Sequence, residues 1–364
     1  MTSALSLLHD RARQLLDPVH YDYFAGGAGD EVAMGENERA FRRLALLPRV
    51  LCGNDTRDTA VTLLGDRAAG PVIVSPTAFH RLAHPVGERA TARATAAAGT
   101  VLIASMASTM PIAEITAAAR DVRPDAVVWF QLYLQPDHAV TTELVHRAEK
   151  AGCTALVVTV DSPVFGRRER DERNGFLDLP PGLAAENMRD LPGSPPGDTL
   201  DIAMSTALTW QDIRRLREAT ALPLVLKGIL HPADARLAVA EGADAVMVSN
   251  HGGRQLDAAP ATIDALPGIV EAVAGRVPVL LDGGVRRGSD AALALALGAA
   301  AVGVGRPVVW GLAAEGETGV RQVLDALGAE LDHALALCGA RRPGDLSRDQ
   351  VVARGLGLAG GAPC

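Results

Sequence analysis

Val277-Pro278-Val279-Leu280-Leu281-Asp282-Gly283-Gly284-Val285-Arg286-Arg287-Gly288, followed by Ser289–Leu297 and Gly298–Gly305, holds one full unit of a repeating architecture. Val277–Asp282 is a short apolar run that stops at a carboxylate. A Gly-Gly turn leads into Gly288–Leu297, where Ala and Leu fall at helical spacing, and Gly298 precedes a second apolar run, Ala301–Gly305. Continuous apolar runs suit parallel strands buried on both faces. A Gly after the helical stretch supplies the left-handed residue that closes a helix.

The same order recurs upstream. Pro71–Pro76, Thr100–Ser105, Val127–Leu134, Ala155–Asp161, Leu222–Lys227 and Ala245–Ser249 complete a set of eight apolar runs. Between them lie Val86–Ala98, Asp137–Ala151 and Pro232–Glu241, closed by Gly99, Gly152 and Gly242. Eight β-α units predict a (β/α)8 TIM barrel, an architecture that uses about 250 or more residues as one domain. The chain therefore reads as a single domain over 1–364, with the barrel at 71–340 and a helical leader at 1–50. The connection after strand 4 is the longest. Its centre, Leu179–Asp201, is rich in Pro, Gly and Asp, which predicts a mobile loop or a cover for the site.

Composition narrows the function classes. Hydrophobic residues make up 48% of 364, yet there are only 6 Phe, 3 Trp and 3 Tyr, so the core is aliphatic. A charged fraction of 21% with that apolar content excludes disorder. Net charge is −8 and basic residues form no cluster, which argues against nucleic acid and anionic membranes as partners. Cys52, Cys153, Cys338 and Cys364 lack CxxC spacing and read as reduced thiols of a cytoplasmic protein. Residues 1–17 lack a cationic head followed by an apolar run, and nothing reaches about 18 consecutive apolar residues, so neither a signal peptide nor a membrane span is expected.

Barrels of this class place their chemistry at the C-terminal ends of the strands. Here those ends carry Ser75-Pro76-Thr77-Ala78, Ser105, Gln131 with Tyr133, Thr159 with Asp161, Lys227, Ser249-Asn250-His251-Gly252-Gly253-Arg254, Asp282-Gly283-Gly284-Val285-Arg286 and Gly305-Arg306-Pro307. The last two are Gly-rich turns feeding helices beside Arg, a pattern that cradles phosphate through backbone N–H groups; Gly-Gly alone would also serve a tight turn. At strand 6 an imidazole able to take a proton near neutral pH stands three residues from a guanidinium able to hold a carboxylate. No His has a partner at metal-ligand spacing, so no metal site is expected.

Ser249-Asn250-His251-Gly252-Gly253-Arg254-Gln255-Leu256-Asp257 resembles the active-site signature of the FMN-dependent 2-hydroxy acid oxidase and dehydrogenase family. Tyr21–Gly27, Phe130–Tyr133, Thr159–Asp161, Gly166–Arg168 and the two Gly-rich turns resemble family motifs in family order, over nearly the whole chain. The resemblance implies FMN as cofactor, a small-molecule 2-hydroxy acid as substrate and a homotetramer.

It also implies roles. His251 would abstract a proton, with Asp161 orienting it. Arg168 and Arg254 would clamp the substrate carboxylate with help from the Tyr23 hydroxyl, while Tyr133 would hydrogen-bond the reacting oxygen. Lys227 would stand near the flavin N1. Pro76, Thr77, Ala78, Ser105, Gln131 and Thr159 would line the isoalloxazine, and Ser249 would approach the ring or its ribityl arm. Asp282, Gly283, Gly284, Arg286, Gly305 and Arg306 would hold the ribityl chain and phosphate.

Where glycolate oxidases carry Trp after strand 2, this chain has Ala107, which leaves room for a bulky side chain and favours a mandelate-like acid. The centre of the connection after strand 4, Leu179–Asp201, is polar, Pro-rich and short beside the apolar insertion of membrane-bound members, and no haem motif is present. Molecular oxygen is therefore the expected acceptor, with another soluble acceptor or a lactate- or glycolate-type oxidase as alternatives within the family. Outside it stand a Schiff-base aldolase using Lys227 and a non-catalytic phosphate-binding barrel.

Overall fold

The computed structural model describes residues 4–354. Eight parallel strands close into a barrel: β1 (Val72–Val74), β2 (Leu102–Ser105), β3 (Val128–Leu132), β4 (Leu156–Thr159), β5 (Leu224–Lys227), β6 (Ala245–Val248), β7 (Val279–Asp282) and β8 (Ala301–Val304). They pair in chain order, and β1 closes the ring by pairing with both β2 and β8.

Side-chain alternation along each strand builds the interior in tiers. Ile73, Ile103, Trp129, Val157, Val225, Met247, Leu280 and Ala301 pack together inside the barrel. The intervening residues, such as Val74, Leu102, Phe130, Leu156 and Leu281, pack outward against the helices. Each such fully buried aliphatic side chain contributes about 1.5–3 kcal/mol relative to exposure. Two residues further along the inward face come Ser75, Ser105, Gln131, Thr159, Lys227, Ser249, Asp282 and Gly303. The polar strand ends are thus one tier, set by the period of two.

The floor is closed by a hairpin, Val61–Leu63 with Asp66–Ala68, that the sequence reading did not anticipate. Its turn residues Leu64 and Gly65 both have positive φ, 51° and 90°. Leu63 and Ala68 join the inner cluster. Asp66 accepts hydrogen bonds from Trp129 Nε1 at 2.8 Å and Thr154 Oγ1 at 2.7 Å, fastening the plug to β3 and the start of β4.

The leader is helical over Ala4–Leu15, Pro18–Ala25 and Val32–Arg42. It ends in a strand, Leu44–Leu46, paired antiparallel with Val351–Ala353, so the two ends of the fold are stitched together. The segment 179–201 contains a single turn of 3-10 helix, Glu186–Met188, and covers the barrel mouth. Met188 is fully buried, and Asn187 accepts from Ile112 N–H at 2.7 Å, which seats this cover on the loop after β2.

Cys52, Cys153 and Cys338 are free thiols, and burial pushes Cys153 up to about 12; Cys364 lies outside the described residues. Among the described residues no helix is long and apolar enough to cross a membrane.

Candidate active site

A cavity of about 720 Å³ opens at the C-terminal end of the barrel. It brings together Tyr23, Pro76, Thr77, Ala78, Ser105, Ala107, Gln131, Tyr133, Thr159, Arg168, Lys227, His251, Arg254, Asp282, Gly283, Gly284, Arg286, Gly305 and Arg306. Of the residues expected at the site, two stand behind its wall. Asp161 backs His251. Ser249 is fully buried just past the end of β6 and is not among the residues that line the cavity. Its hydroxyl accepts from Lys227 Nζ at 2.8 Å and from His251 N–H at 3.1 Å, so it positions two site residues.

His251 is placed by an unusual stretch of backbone. Residues 251, 252 and 253 all have positive φ, at 57°, 65° and 77°. The two glycines adopt this freely; His251 does so at a cost of order 1–3 kcal/mol. The turn is held from below by Asn250, whose amide exchanges two 2.8 Å hydrogen bonds with Asn37 of the leader. His251 Nδ1 then lies 2.8 Å from Asp161 Oδ1, leaving Nε2 toward the cavity, 3.4 Å from the Tyr133 hydroxyl. Burial opposes the Asp161 charge, but His251, Lys227 and the Ser162 hydroxyl outweigh it and hold the carboxyl below its ordinary value. Gly228 makes room for this pair, since a Cβ there would stand 2.6 Å from Asp161 Cβ.

Two guanidiniums flank the Tyr23 ring, Arg254 at 5.0 Å and Arg168 at 5.9 Å from its centroid. Nη1 of Arg254 donates to the carbonyls of Tyr23 and Gly26 at 2.6 and 2.9 Å, leaving other N–H groups for a ligand. Burial, with Arg168 nearby, lowers Arg254 to about 10. Arg168, which could have belonged to the solvated charge run 167–173, lines the cavity instead.

The third cluster lies at the ends of β7 and β8. Arg306 spends three N–H groups on the carbonyls of Phe24, Gly252 and Gly26 and has no carboxylate partner among the described residues. Burial, reinforced by Arg254 and Arg286, lowers it to about 9. Asp282 Oδ2 accepts from Ser75 at 3.1 Å and stands 3.4 Å from Lys227 Nζ, while Oδ1 is buried without a partner. A buried cation lacking a counter-ion, an orphaned acceptor and a Gly-rich backbone fit a phosphate joined to a hydroxyl-bearing chain. FMN has both.

Sequence reasoning missed Asp171, which lines the cavity beside Arg168, and the Asn37–Asn250 pair. It also missed the ring of Phe176, 5.3 Å from that of Tyr23; the Phe79 ring lies 6.0 Å from Tyr23 on the same wall. Asp171 was hidden in the mixed-charge run. The Asn pair spans 213 residues and leaves no local signal.

The chain is similar to known proteins over nearly its whole length. Residues 12–353 match the family described as FMN-dependent dehydrogenase. A peroxisomal (S)-2-hydroxyacid oxidase of Arabidopsis thaliana is 45% identical over 344 residues, covering 93% of each chain. An L-lactate oxidase of Nostoc sp. is 46% identical over 344 residues, covering 92% of this chain and 94% of its own. Among solved structures, a mandelate oxidase with (S)-2-phenylpropionate superposes with a TM-score of 0.87 at 43% identity, covering 96% of this chain and 97% of the other.

Proposed function

The chain belongs to the FMN-dependent dehydrogenase family, and within it we propose that it oxidises an (S)-2-hydroxy acid with a bulky, aryl-type side chain to the 2-oxo acid, with dioxygen as acceptor and hydrogen peroxide as second product. Membership sets aside the Schiff-base aldolase and the non-catalytic barrel. One observation carries the substrate class: Ala107 lines the cavity in company with Phe79, Phe176, Leu183 and Ile202, an apolar enclosure with no large side chain at position 107.

When bound, FMN supplies the two-electron acceptor, held by the residues at the ends of β7 and β8 and by the polar tier around Lys227. Arg168 and Arg254 hold the substrate carboxylate, and the Tyr23 hydroxyl adds a third contact. His251 takes the 2-hydroxyl proton at Nε2, because Nδ1 faces Asp161, and Asp161 stabilises the resulting imidazolium. Burial raises the Tyr133 phenol above its ordinary value, so it remains a neutral donor to the substrate oxygen. The 179–201 cover excludes water from the charged groups. A cytoplasmic location and a tetrameric assembly complete the proposal; sedimentation reads the latter.

The test is anaerobic bleaching of the protein's yellow absorbance by a panel of (S)-2-hydroxy acids, followed by oxygen and a peroxide assay. Mandelate should act faster than lactate or glycolate. Faster bleaching by the small acids would replace this reading with a lactate- or glycolate-type oxidase; absence of peroxide would replace dioxygen with another acceptor.

A further inference from the structure

The carboxylate clamp contains an acid of its own. Asp171 lines the cavity, and its Oδ2 stands 3.4 Å from Arg168 Nη1, with the two side chains 15% and 21% exposed. Among the described residues Arg168 has no other ion-pair partner, and Arg254 has none. Of the neighbouring charges, Arg306 meets only carbonyls and lies at the end of β8, where the phosphate would sit, and the others are already matched. Asp22 pairs with Arg170 at 3.2 Å and accepts from Asn174 at 2.9 Å, and Glu31 also pairs with Arg170, at 2.5 Å. Lys227 faces Asp282, and Asp161 faces the His251 ring. Burial raises the Asp171 carboxyl, while Arg168 and Arg254 oppose that rise and Asp22 adds to it.

Two guanidiniums and one carboxylate leave the clamp with one net positive charge. A single substrate carboxylate neutralises it. A second would enter a partly desolvated site with no cation left to meet it and Asp171 close by, an arrangement that costs far more than in water. We propose that Asp171 is a specificity-determining positioning residue that sets the charge of the clamp, so that the site accepts monoanionic 2-hydroxy acids and rejects dianionic ones. Rejection comes from a fixed repulsive group as well as from the attraction for the favoured ligand. By holding one edge of Arg168 through Nη1, Asp171 also leaves its other N–H groups for the substrate. This inference rests on the assignment of Arg168 and Arg254 to the substrate carboxylate.

The experiment uses the FMN-loaded protein and follows the visible spectrum of the oxidised cofactor during titration with benzoylformate, a monoanion, and oxalate, a dianion at neutral pH. Asp171→Asn should shift the ratio of the two affinities toward oxalate by roughly 10-fold or more, the size of one lost like-charge contact. Asp171→Glu should restore the parental ratio, and Asp171→Ser should reproduce the shift if the Asn variant fails to fold. A ratio within about 2-fold of the parent's in the neutral variants, even with both affinities weakened together, would overturn the proposal, since a merely structural role moves both ligands alike. The underlying assignment fails separately: Arg168→Met and Arg254→Met would then bind benzoylformate as tightly as the parent does.

Discussion

His251 and Asp161 are 90 residues apart in the chain, yet Nδ1 of one lies 2.8 Å from Oδ1 of the other. Neither residue is held by the other alone. The ring rides on the left-handed turn at 251–253, and the carboxylate fits against Gly228, which has φ of 107°. Two independent pieces of backbone therefore fix which ring nitrogen faces the cavity.

His251→Asn should leave the cofactor bound and slow substrate-dependent bleaching by roughly 10²-fold or more, the usual contribution of a positioned base. Asp161→Asn should also slow it, because the amide no longer stabilises the imidazolium. Stopped-flow spectroscopy under nitrogen measures both. Unchanged bleaching in His251→Asn would remove this ring from the reaction.

Asp161 also gives an acid-stability signature. Its carboxyl lies below the ordinary value in the fold, whereas in the unfolded chain it titrates at about 3.9. The unfolded state therefore binds the proton first as pH falls. The stabilisation is complete above the unfolded value and is lost as pH drops through the folded one. Urea unfolding between about pH 3 and 6 should show a steeper loss of stability in the parent than in Asp161→Asn; parallel profiles would mean that the pair is uncoupled.

Arg306 predicts the reverse situation, a charge that the fold bears at a cost. Its lowering to about 9 means that burial disfavours the cation. An anion at the ends of β7 and β8 should relieve this. Protein stripped of FMN should gain thermal stability from inorganic phosphate, and Arg306→Met should abolish the gain and weaken FMN retention by roughly 10-fold or more. Equal shifts in parent and variant would place the phosphate elsewhere.

Ala107→Trp should fill the space near the substrate side chain and reverse selectivity, raising kcat/KM for glycolate relative to mandelate by roughly 10-fold or more. Paired measurements on both acids decide it, and an unchanged ranking would show that another wall sets the size limit.

The barrel was legible because strands buried on both faces cannot hide their apolar runs, and because Gly99 and Gly152 close their helices with φ of 69° and 77° as a left-handed cap requires. The polar tier was legible for the same reason, since it continues the inward face by two residues. The floor hairpin was not. Its turn is Leu64-Gly65 rather than Asn-Gly, so the tightest bend in that region carries no turn signature. The contacts of Ser249 were not legible either, because sequence shows that it points inward but not that Lys227 Nζ lies against it. Tyr21 opens the 21–27 motif, and nothing near it in sequence shows that its hydroxyl bonds His9 Nε2 at 2.9 Å or that its ring lies 5.5 Å from that of Trp310. Long-range partners of this kind are set by how the leader lies on the barrel, which no local pattern records.

The plug under the barrel dictates the order of traffic. With Leu63, Ala68 and Trp129 sealing one end, the barrel opens, among the described residues, at the mouth lined by 179–201. On the proposed reading FMN would therefore seat before the substrate, since both would enter by the same opening. One opening thus has to suit two visitors of very different size, and the residues of 179–201 that line it bear on both.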